Sequence, residues 1–285
     1  MKKIVCIYAY YEKNEEYKEN LRFFLKNGIV DSCDYIFIIN GDCTVDIPDK
    51  HKKLYRTNKG FDFGAYSYAS ENMNLTNYDY LFFINTSVRG PYIQDWQNSF
   101  INLLKDDIKL VGTVINIHTR GNHVSSMVFL IDNECYTFLK KNKFFSIEND
   151  VTNYEDAINN KEILMSTLIL NNGWNITCIA EKYQGYDYRI LKEDINKTSI
   201  NGDSMFENAY FGKTLTQDDV IFIKTTKDRN LSYPNSDTST FVNEFEFKEK
   251  NIKKSNILLY TLLFLLFFQF FIIFWCIKVK CQYHI

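Results

Sequence analysis

A positive electrostatic field is missing from this chain of 285 residues, in which 33 lysines and arginines are outweighed by 35 aspartates and glutamates for a net charge of -2. The basic side chains are scattered rather than gathered in one segment. A nucleic acid, which is bound chiefly through neutralised phosphates, is therefore not an expected partner. Paired cysteines are missing too. The seven cysteines, at positions 6, 33, 43, 135, 178, 276 and 281, show no C-x-x-C spacing and have no companion histidines. That pattern excludes a disulfide framework and a zinc site, and points to reduced, mostly buried thiols in a cytosol-like compartment. No internal repeat is visible. A cleavable leader is not indicated either, because the apolar run from Ile4 to Tyr11 is short, rich in tyrosine, halted by Glu12 and followed by no small-residue cleavage site. It reads as a first β-strand.

What is present at the other end is a long apolar run, Ile257 to Ile277, broken only by Tyr260, Thr261 and Gln269. As a helix it reaches about 30 Å, the thickness of a bilayer core. Lys248, Lys250, Lys253 and Lys254 precede it, against Lys278 and Lys280 after it, so the positive-inside bias favours a cytoplasmic large domain. The expected organisation is a domain over 1–229, a polar linker over 230–256, a transmembrane helix over 257–277 and a short tail over 278–285. The chain then sits at a membrane as a single-pass protein with a C-terminal anchor. Sequons at Asn74, Asn85, Asn175, Asn196 and Asn230 would fit a lumenal domain instead, although an asparagine-rich chain generates them readily.

Between these ends, strand-like and helix-like segments alternate. Ile4 to Tyr10 and Tyr35 to Ile39 read as buried strands, Lys53 to Arg56 as a short one, and Tyr80 to Ile84 as a continuous apolar strand of the kind covered on both faces. Asn14 to Asn27 is amphipathic and closed by Gly28, and Gly64 to Asn74 reads as a second helix. Further on, a helix is expected around Trp96 to Leu104 and another over Asn133 to Lys141. Strands are expected at Leu110 to Ile117 and Val124 to Ile131, joined as an antiparallel pair. Lys161 to Asn171 reads as a helix closed by Asn172-Gly173, Trp174 to Ala180 as a strand, Gln184 to Thr216 as loop, and Val220 to Lys224 as a last strand. The fold class that follows is α/β, a mostly parallel, Rossmann-like mixed sheet with helices on both faces.

The organising stretch is Asn58 to Pro91. Tyr80-Leu81-Phe82-Phe83-Ile84 stops abruptly at Asn85-Thr86-Ser87-Val88-Arg89-Gly90-Pro91, and in open α/β sheets ligands bind beyond the carboxyl ends of such strands. Just upstream, Asn58-Lys59-Gly60-Phe61-Asp62-Phe63-Gly64 links a strand to a helix.

At these residues the chain resembles the GT-A-type glycosyltransferases grouped with bacterial rhamnan synthesis protein F, of which similar sequences occur in algae and large DNA viruses. That family carries an N-x-G-x-D loop, matched by Asn58, Gly60 and Asp62, and an Asn-Ser-Ser-x-x-Gly-Pro strand end, matched by Asn85 to Pro91. Its His-x-Gln-Ser strand appears here as His123-Val124-Ser125-Ser126, with serine in place of glutamine. Glu162 to Ser166 together with Asn172 to Ile176 resembles the helix and strand that close the catalytic half of family 2 glycosyltransferases. The likeness runs roughly from Lys2 to Lys224.

The resemblance implies a GT-A fold and an inverting transfer of a sugar from a nucleotide-sugar donor. In family 2 enzymes the general base lies eleven residues before the glycine, which here is Glu162 before Gly173, while its acidic partner is replaced by Lys161. The alternatives are an ordinary first-turn glutamate favoured by the helix dipole, and a base within Tyr154-Glu155-Asp156. Donor contacts are implied for Asn58, Gly60, Asp62, Asn85, Ser87, Arg89 and Asp42, with Asp46 beside it, and a sugar or acceptor pocket for His123, Ser126 and Tyr186, with Tyr183, Asp187 and Tyr188 nearby. Each has a plainer reading: Asp62 as a helix N-cap, Asn58 and Gly60 as a turn, Arg89 as a salt-bridge partner, His123 as a satisfied strand histidine. Most GT-A enzymes hold Mn2+ or Mg2+ with an Asp-x-Asp where this chain has Asn85-Thr86-Ser87. A metal here would need Asp62 or Asp42; otherwise Arg89 and backbone N–H groups face the leaving diphosphate. The expected activity is a membrane-anchored glycosyltransferase acting on a glycan, glycolipid, glycoprotein or lipid-linked acceptor. The alternative is a non-catalytic, membrane-anchored binding module that keeps the fold.

Overall fold

The computed structural model describes residues 2–226, so the linker, apolar span and tail expected over 230–285 lie outside the described residues. Among the described residues no helix is long and apolar enough to cross a membrane. The chain order is β1 (Ile4–Tyr10), α1 (Glu15–Asn27), β2 (Cys33–Asn40), β3 (Lys52–Arg56), α2 (Phe61–Asn72), β4 (Tyr80–Asn85), β5 (Val88–Arg89) and α3 (Trp96–Ile101). It continues with β6 (Ile108–Gly112), β7 (Ile115–His118), β8 (Gly121–Val124), β9 (Val128–Asp132), α4 (Asn133–Lys141), α5 (Tyr154–Ala157), a π-helical turn (Ile158–Ile163), α6 (Leu164–Asn171), β10 (Asn175–Cys178) and β11 (Ile223–Lys224).

Seven of these strands form one sheet in the order β10-β6-β9-β4-β1-β2-β3. Every neighbouring pair is parallel except those of β9, which runs antiparallel to both β4 and β6. The mixed, mostly parallel sheet expected from the βαβ alternation is therefore present. Two of the expected strands are each divided in two, because Gly112 to Val114 and Ser125 to Met127 break the ladders. Their outer parts pair in the sheet as β6 and β9, and their inner parts turn out of it as the β7–β8 hairpin. The last strand is also shorter than expected, and β11 pairs with β5 outside the main sheet.

β4 shows why the sheet is covered on both sides. Leu81, Phe82, Phe83 and Ile84 are all fully buried, and successive side chains point to opposite faces. Phe82 meets Trp96 and Phe100 of α3 at ring-centroid distances of 4.8 and 5.7 Å, and Phe24 of α1 meets the same tryptophan at 6.3 Å. Phe83 faces the other way, to Tyr66 of α2 at 5.0 Å and to Phe145 at 5.3 Å. Each such aromatic pair adds about 0.5–1.5 kcal/mol beyond area burial. Among the described residues Cys6, Cys33, Cys135 and Cys178 are buried free thiols and Cys43 is half-buried.

The end of β3 is tied to the far half of the domain by a buried ion pair. Arg56 Nη2 lies 3.5 Å from Asp150 Oδ2, with the side chains 8% and 2% exposed, and Arg56 Nη1 donates to Asn40 Oδ1 at 2.9 Å. Burial pushes the Asp150 carboxyl up and Arg56 pulls it back. Removing one partner of a buried pair strands the other charge, so Arg56→Ala is expected to destabilise the domain by about 3 kcal/mol. In a urea-denaturation cycle, Arg56→Ala with Asp150→Ala should lose much less than the sum of the single losses. Simple additivity would mean that the two charges do not support each other.

Candidate active site

The carboxyl ends of β1, β2 and β4 fall on one rim because the three strands are parallel and in step, Ala9 opposite Asn85 and Tyr10 opposite Ile39. Thr86 fastens that rim, its hydroxyl donating to Ala9 O at 2.8 Å and accepting from Tyr11 N at 3.0 Å. β9 begins here because it runs the other way: Ile84 pairs with Val128 and Asn85 N donates to Met127 O at 3.0 Å. The segment Ser125 to Met127 is thus delivered to the same rim. α2 also starts here, led by Gly60 at φ +74° and Phe61 at φ +56°.

Asp62 stands in the first turn of α2. The residue is half-buried. Oδ2 accepts from Asn85 Nδ2 at 2.7 Å and Oδ1 from Phe63 N at 3.1 Å. Asn85 is held in that orientation because its Oδ1 receives both the N–H and the hydroxyl of Ser87, at 3.0 and 2.6 Å. Burial pushes the Asp62 carboxyl above its ordinary value, the Asn85 hydrogen bond opposes that rise, and the charge of Glu162 adds to it. Asp62 is not the helix N-cap, since Gly60 occupies that position with no side-chain cap.

Glu162 lies within electrostatic reach of Asp62. It lies in the π-helical turn, well inside a helix that already starts at Tyr154, so the first-turn reading does not apply. A π turn widens the helix by one residue and recurs at functional sites. Here neighbouring side chains part company. Lys161 goes inward, its Nζ donating to Phe144 O at 2.9 Å and its pKa lowered by burial. Glu162 Oε1 accepts from Ser126 N at 2.7 Å. Tyr154-Glu155-Asp156 forms the first turn, where Asn153 accepts from Asp156 N at 2.9 Å.

Asp62, Asn85, Ser87, Ser126 and Glu162 are therefore brought together, with Gly60 shaping the loop and Asn58 half-buried beside it. Other expected residues are not. Arg89 is 2% exposed and directed at α1, where Nε donates to Asn20 Oδ1 at 3.0 Å and Nη2 pairs with Glu16; it fastens that helix rather than facing the crevice. His123 is the satisfied strand histidine: Nδ1 donates to Gly121 O at 2.9 Å, which leaves Nε2 to accept from Asn116 Nδ2 at 3.3 Å. Tyr186 stands at the opposite rim. Its carbonyl accepts from Asn175 Nδ2 at 3.0 Å, and Asn175 begins β10 beside Ile108, the first residue of β6. Tyr183 and Tyr188 are buried, and Asp187 pairs with Arg189. Asp42 and Asp46 are exposed beyond β2.

Lys224 is the residue without an expected role. It follows buried Ile223 on β11, opposite Val88, and its charge acts to lower the Asp62 pKa. Tyr17 of α1 also stands within electrostatic range of Asp62, its hydroxyl raised first by burial and then by that carboxylate. The apolar run Val220 to Ile223 announced a strand, but nothing local says where the lysine after it points.

The residues do not fit the acidic metal site that the resemblance implies. Asn85 turns its nitrogen to Asp62 because Ser87 occupies its oxygen, both Asp62 oxygens already accept hydrogen bonds, and among the described residues no three His, Cys, Asp or Glu side chains stand together to hold a metal ion.

No protein-family profile and no curated protein matches the chain. Among solved structures, it is similar to a mannosyltransferase of Pyrobaculum calidifontis in complex with GDP-Man and Mn2+, with TM-score 0.43 and 10% identity over 62% of this chain and 54% of that one. It is also similar to the catalytic domain of Drosophila β1,4-galactosyltransferase 7 in complex with xylobiose, with TM-score 0.33 and 9% identity over 65% of this chain and 66% of that one. A third is S. aureus TarS 1-349, with TM-score 0.42 and 15% identity over 64% of this chain and 59% of that one. Each match spans less than two thirds of the other protein's length. With overlaps this partial, what this chain does has to be read from its own residues.

Two outcomes follow from this geometry. At Gly60, a Cβ would meet Asp150 Cγ at 2.8 Å on a backbone at φ +74°, so Gly60→Ala is expected to destabilise by about 1–2 kcal/mol from the left-handed backbone alone and to lower the melting temperature; an unchanged melt would mean that the loop relaxes freely. Because the native Asp62 pKa is raised, its contribution to stability is fully present below the unfolded value of about 4 and is lost as pH rises through the native value. Measured against Asp62→Asn, the wild-type unfolding free energy should fall as pH rises above about 4. Parallel curves would mean that the carboxyl is solvated.

Proposed function

We propose that this chain is a glycosyltransferase that moves a sugar from a nucleotide-sugar donor to a hydroxyl of a glycan or lipid-linked acceptor, with inversion. The observation that supports this most directly is a pair of carboxylates within electrostatic reach of one another, Asp62 hydrogen-bonded to Asn85 and Glu162 held by the Ser126 N–H. Glu162 is the general base. As the acceptor oxygen attacks the anomeric carbon, its proton passes to Glu162, the new carbon–oxygen bond forms, and the bond to the diphosphate breaks with its electron pair leaving on the phosphate oxygen. Asp62 and Asn85 orient the donor, since a fixed, hydrogen-bonded pair holds a sugar hydroxyl without reorganising. No step is assigned to a divalent cation.

The run from Ile257 to Ile277 supports a tether that keeps the domain at the cytoplasmic face of a membrane, near a lipid-linked acceptor. The reading as a binding module that keeps the fold without turnover draws on the missing Asp-x-Asp.

The test is turnover of UDP-, GDP- and dTDP-sugars by the full-length chain, with donor binding followed by thermal shift. Glu162→Gln keeps the oxygen that accepts from Ser126 and is expected to bind donor normally while losing turnover by about 10²–10⁴-fold. Wild-type turnover in that variant removes Glu162 from the mechanism. Donor binding without any turnover by the wild type favours the binding module.

A further inference from the structure

Among the described residues β8 pairs with β7 alone, which leaves the N–H groups of its other edge in need of acceptors. Along this stretch the donors alternate. Ser125 N turns towards β7 and donates to Val114 O at 3.0 Å, while Val124 N and Ser126 N turn to the helix. Val124 N donates to Ser166 Oγ at 3.1 Å and Ser126 N to Glu162 Oε1 at 2.7 Å. Glu162 and Ser166 lie four residues apart, so they share one face of the helix at about 6 Å along its axis. Alternate residues of an extended strand repeat at about 6.7 Å. The two spacings match closely enough for the two side chains to act as consecutive acceptors, as a neighbouring strand would. Val124 is gripped from its other side as well. It is fully buried, and a Cβ on Gly112 would meet its Cγ1 at 2.1 Å, so a glycine in β6 is what lets Val124 sit where Ser166 reaches it. Ser166 is short and fully buried, whereas Glu162 is long and half-buried.

We infer that Ser166 is a positioning residue for Glu162: by taking the Val124 N–H it fixes the register of the helix against β8, and that register brings the Ser126 N–H to the Glu162 carboxylate. This rests on the reading of Glu162 as the general base and adds the residue that holds the base in place. Catalytic groups have to be kept within about 0.5 Å of their productive geometry by neighbours that are themselves locked. A long, half-buried carboxylate keeps too much rotamer freedom to reach that precision alone. Ser166 supplies it from the interior, where the Val124 N–H is enclosed and a lost acceptor has no water to replace it. Ser166 touches the strand and acts through it, not on a substrate.

The experiment compares wild type, Ser166→Ala, Ser166→Thr and Thr167→Ala in the full-length chain. Thr167 is the control, because its hydroxyl donates to Ile163 O within its own helix at 2.9 Å. Residue-resolved hydrogen exchange is read first. Ser166→Ala is expected to speed exchange at both Val124 and Ser126 by about tenfold or more, while Ser166→Thr, which keeps the oxygen, and Thr167→Ala stay near wild type. Faster exchange at Val124 alone overturns the inference, since Glu162 would then hold Ser126 without help. Turnover is read second. In Ser166→Ala kcat is expected to fall by about 10- to 100-fold, the effect of displacing a catalytic group by up to an ångström, with KM and the donor thermal shift unchanged and Ser166→Thr close to wild type. An unchanged kcat, or a fall that Thr167→Ala shares, also overturns it. Should Ser166→Ala melt below the assay temperature, Ser166→Cys, which keeps the size but offers a weak acceptor, takes its place in both readings. The glycosyl-transfer reading fails separately, if the wild type turns over no nucleotide sugar; exchange at Ser126 still decides whether Ser166 places Glu162.

Discussion

A half-buried carboxyl fixed by hydrogen bonds is the constraint on which this domain turns. Taking a charged carboxylate out of solvent costs several kcal/mol, and Asp62 recovers part of that through the Asn85 amide at 2.7 Å and the Phe63 N–H at 3.1 Å, hydrogen bonds to a charged group being worth about 1.5–3 kcal/mol each. Asn85 can serve only because Ser87 fixes which end of its amide faces α2. The strand end, the helix start and the turn between them therefore form one unit.

Around that unit lie polar links that a purely structural core would not need. The Arg56–Asp150 pair fixes the loop leading to Gly60, and Asp150 Oδ1 has no hydrogen-bond partner, an unmet demand of the kind folds tolerate near functional sites. On the other side, Asn20 joins α1, the Thr86 carbonyl, Arg89 and Thr225. Breaking either network would loosen a wall of the crevice before it unfolded the sheet. The π turn adds a third device. It sends Lys161 into the interior and Glu162 to the rim within one step of the chain, an outcome that regular α-helical geometry, with its 100° per residue, makes harder to reach from one face.

Much of this was open to reading from local pattern. The apolar runs of β1, β2 and β4 with helical segments between them imply parallel pairing, because a crossover helix demands it. The abrupt change from Ile84 to Asn85 marks a strand end, and strand ends in such sheets carry sites. Asp62, Asn85, Ser126 and Glu162 were all visible for these reasons or through resemblance. The boundaries of β6 to β9 were not, since a continuous apolar stretch does not say whether it stays in one sheet or leaves it midway. Nor were the directions of Arg89, His123 and Tyr186, because each depends on which partner its side chain or carbonyl meets in the folded chain, and for Arg89 that partner, Asn20, is far along the sequence.

The amino-acid order by itself determined the class of fold, the position of its central strand and the kinds of residue that collect at that strand's end, since periodicity and turn chemistry act over a few neighbours at a time. Only the tertiary structure decided that Glu162 comes within electrostatic reach of Asp62 while Lys161 turns inward, that Arg89 fastens a helix, and that Lys224 arrives from the last strand. These are matters of which distant backbone groups are left needing a partner once the sheet has closed, and no local pattern carries that information.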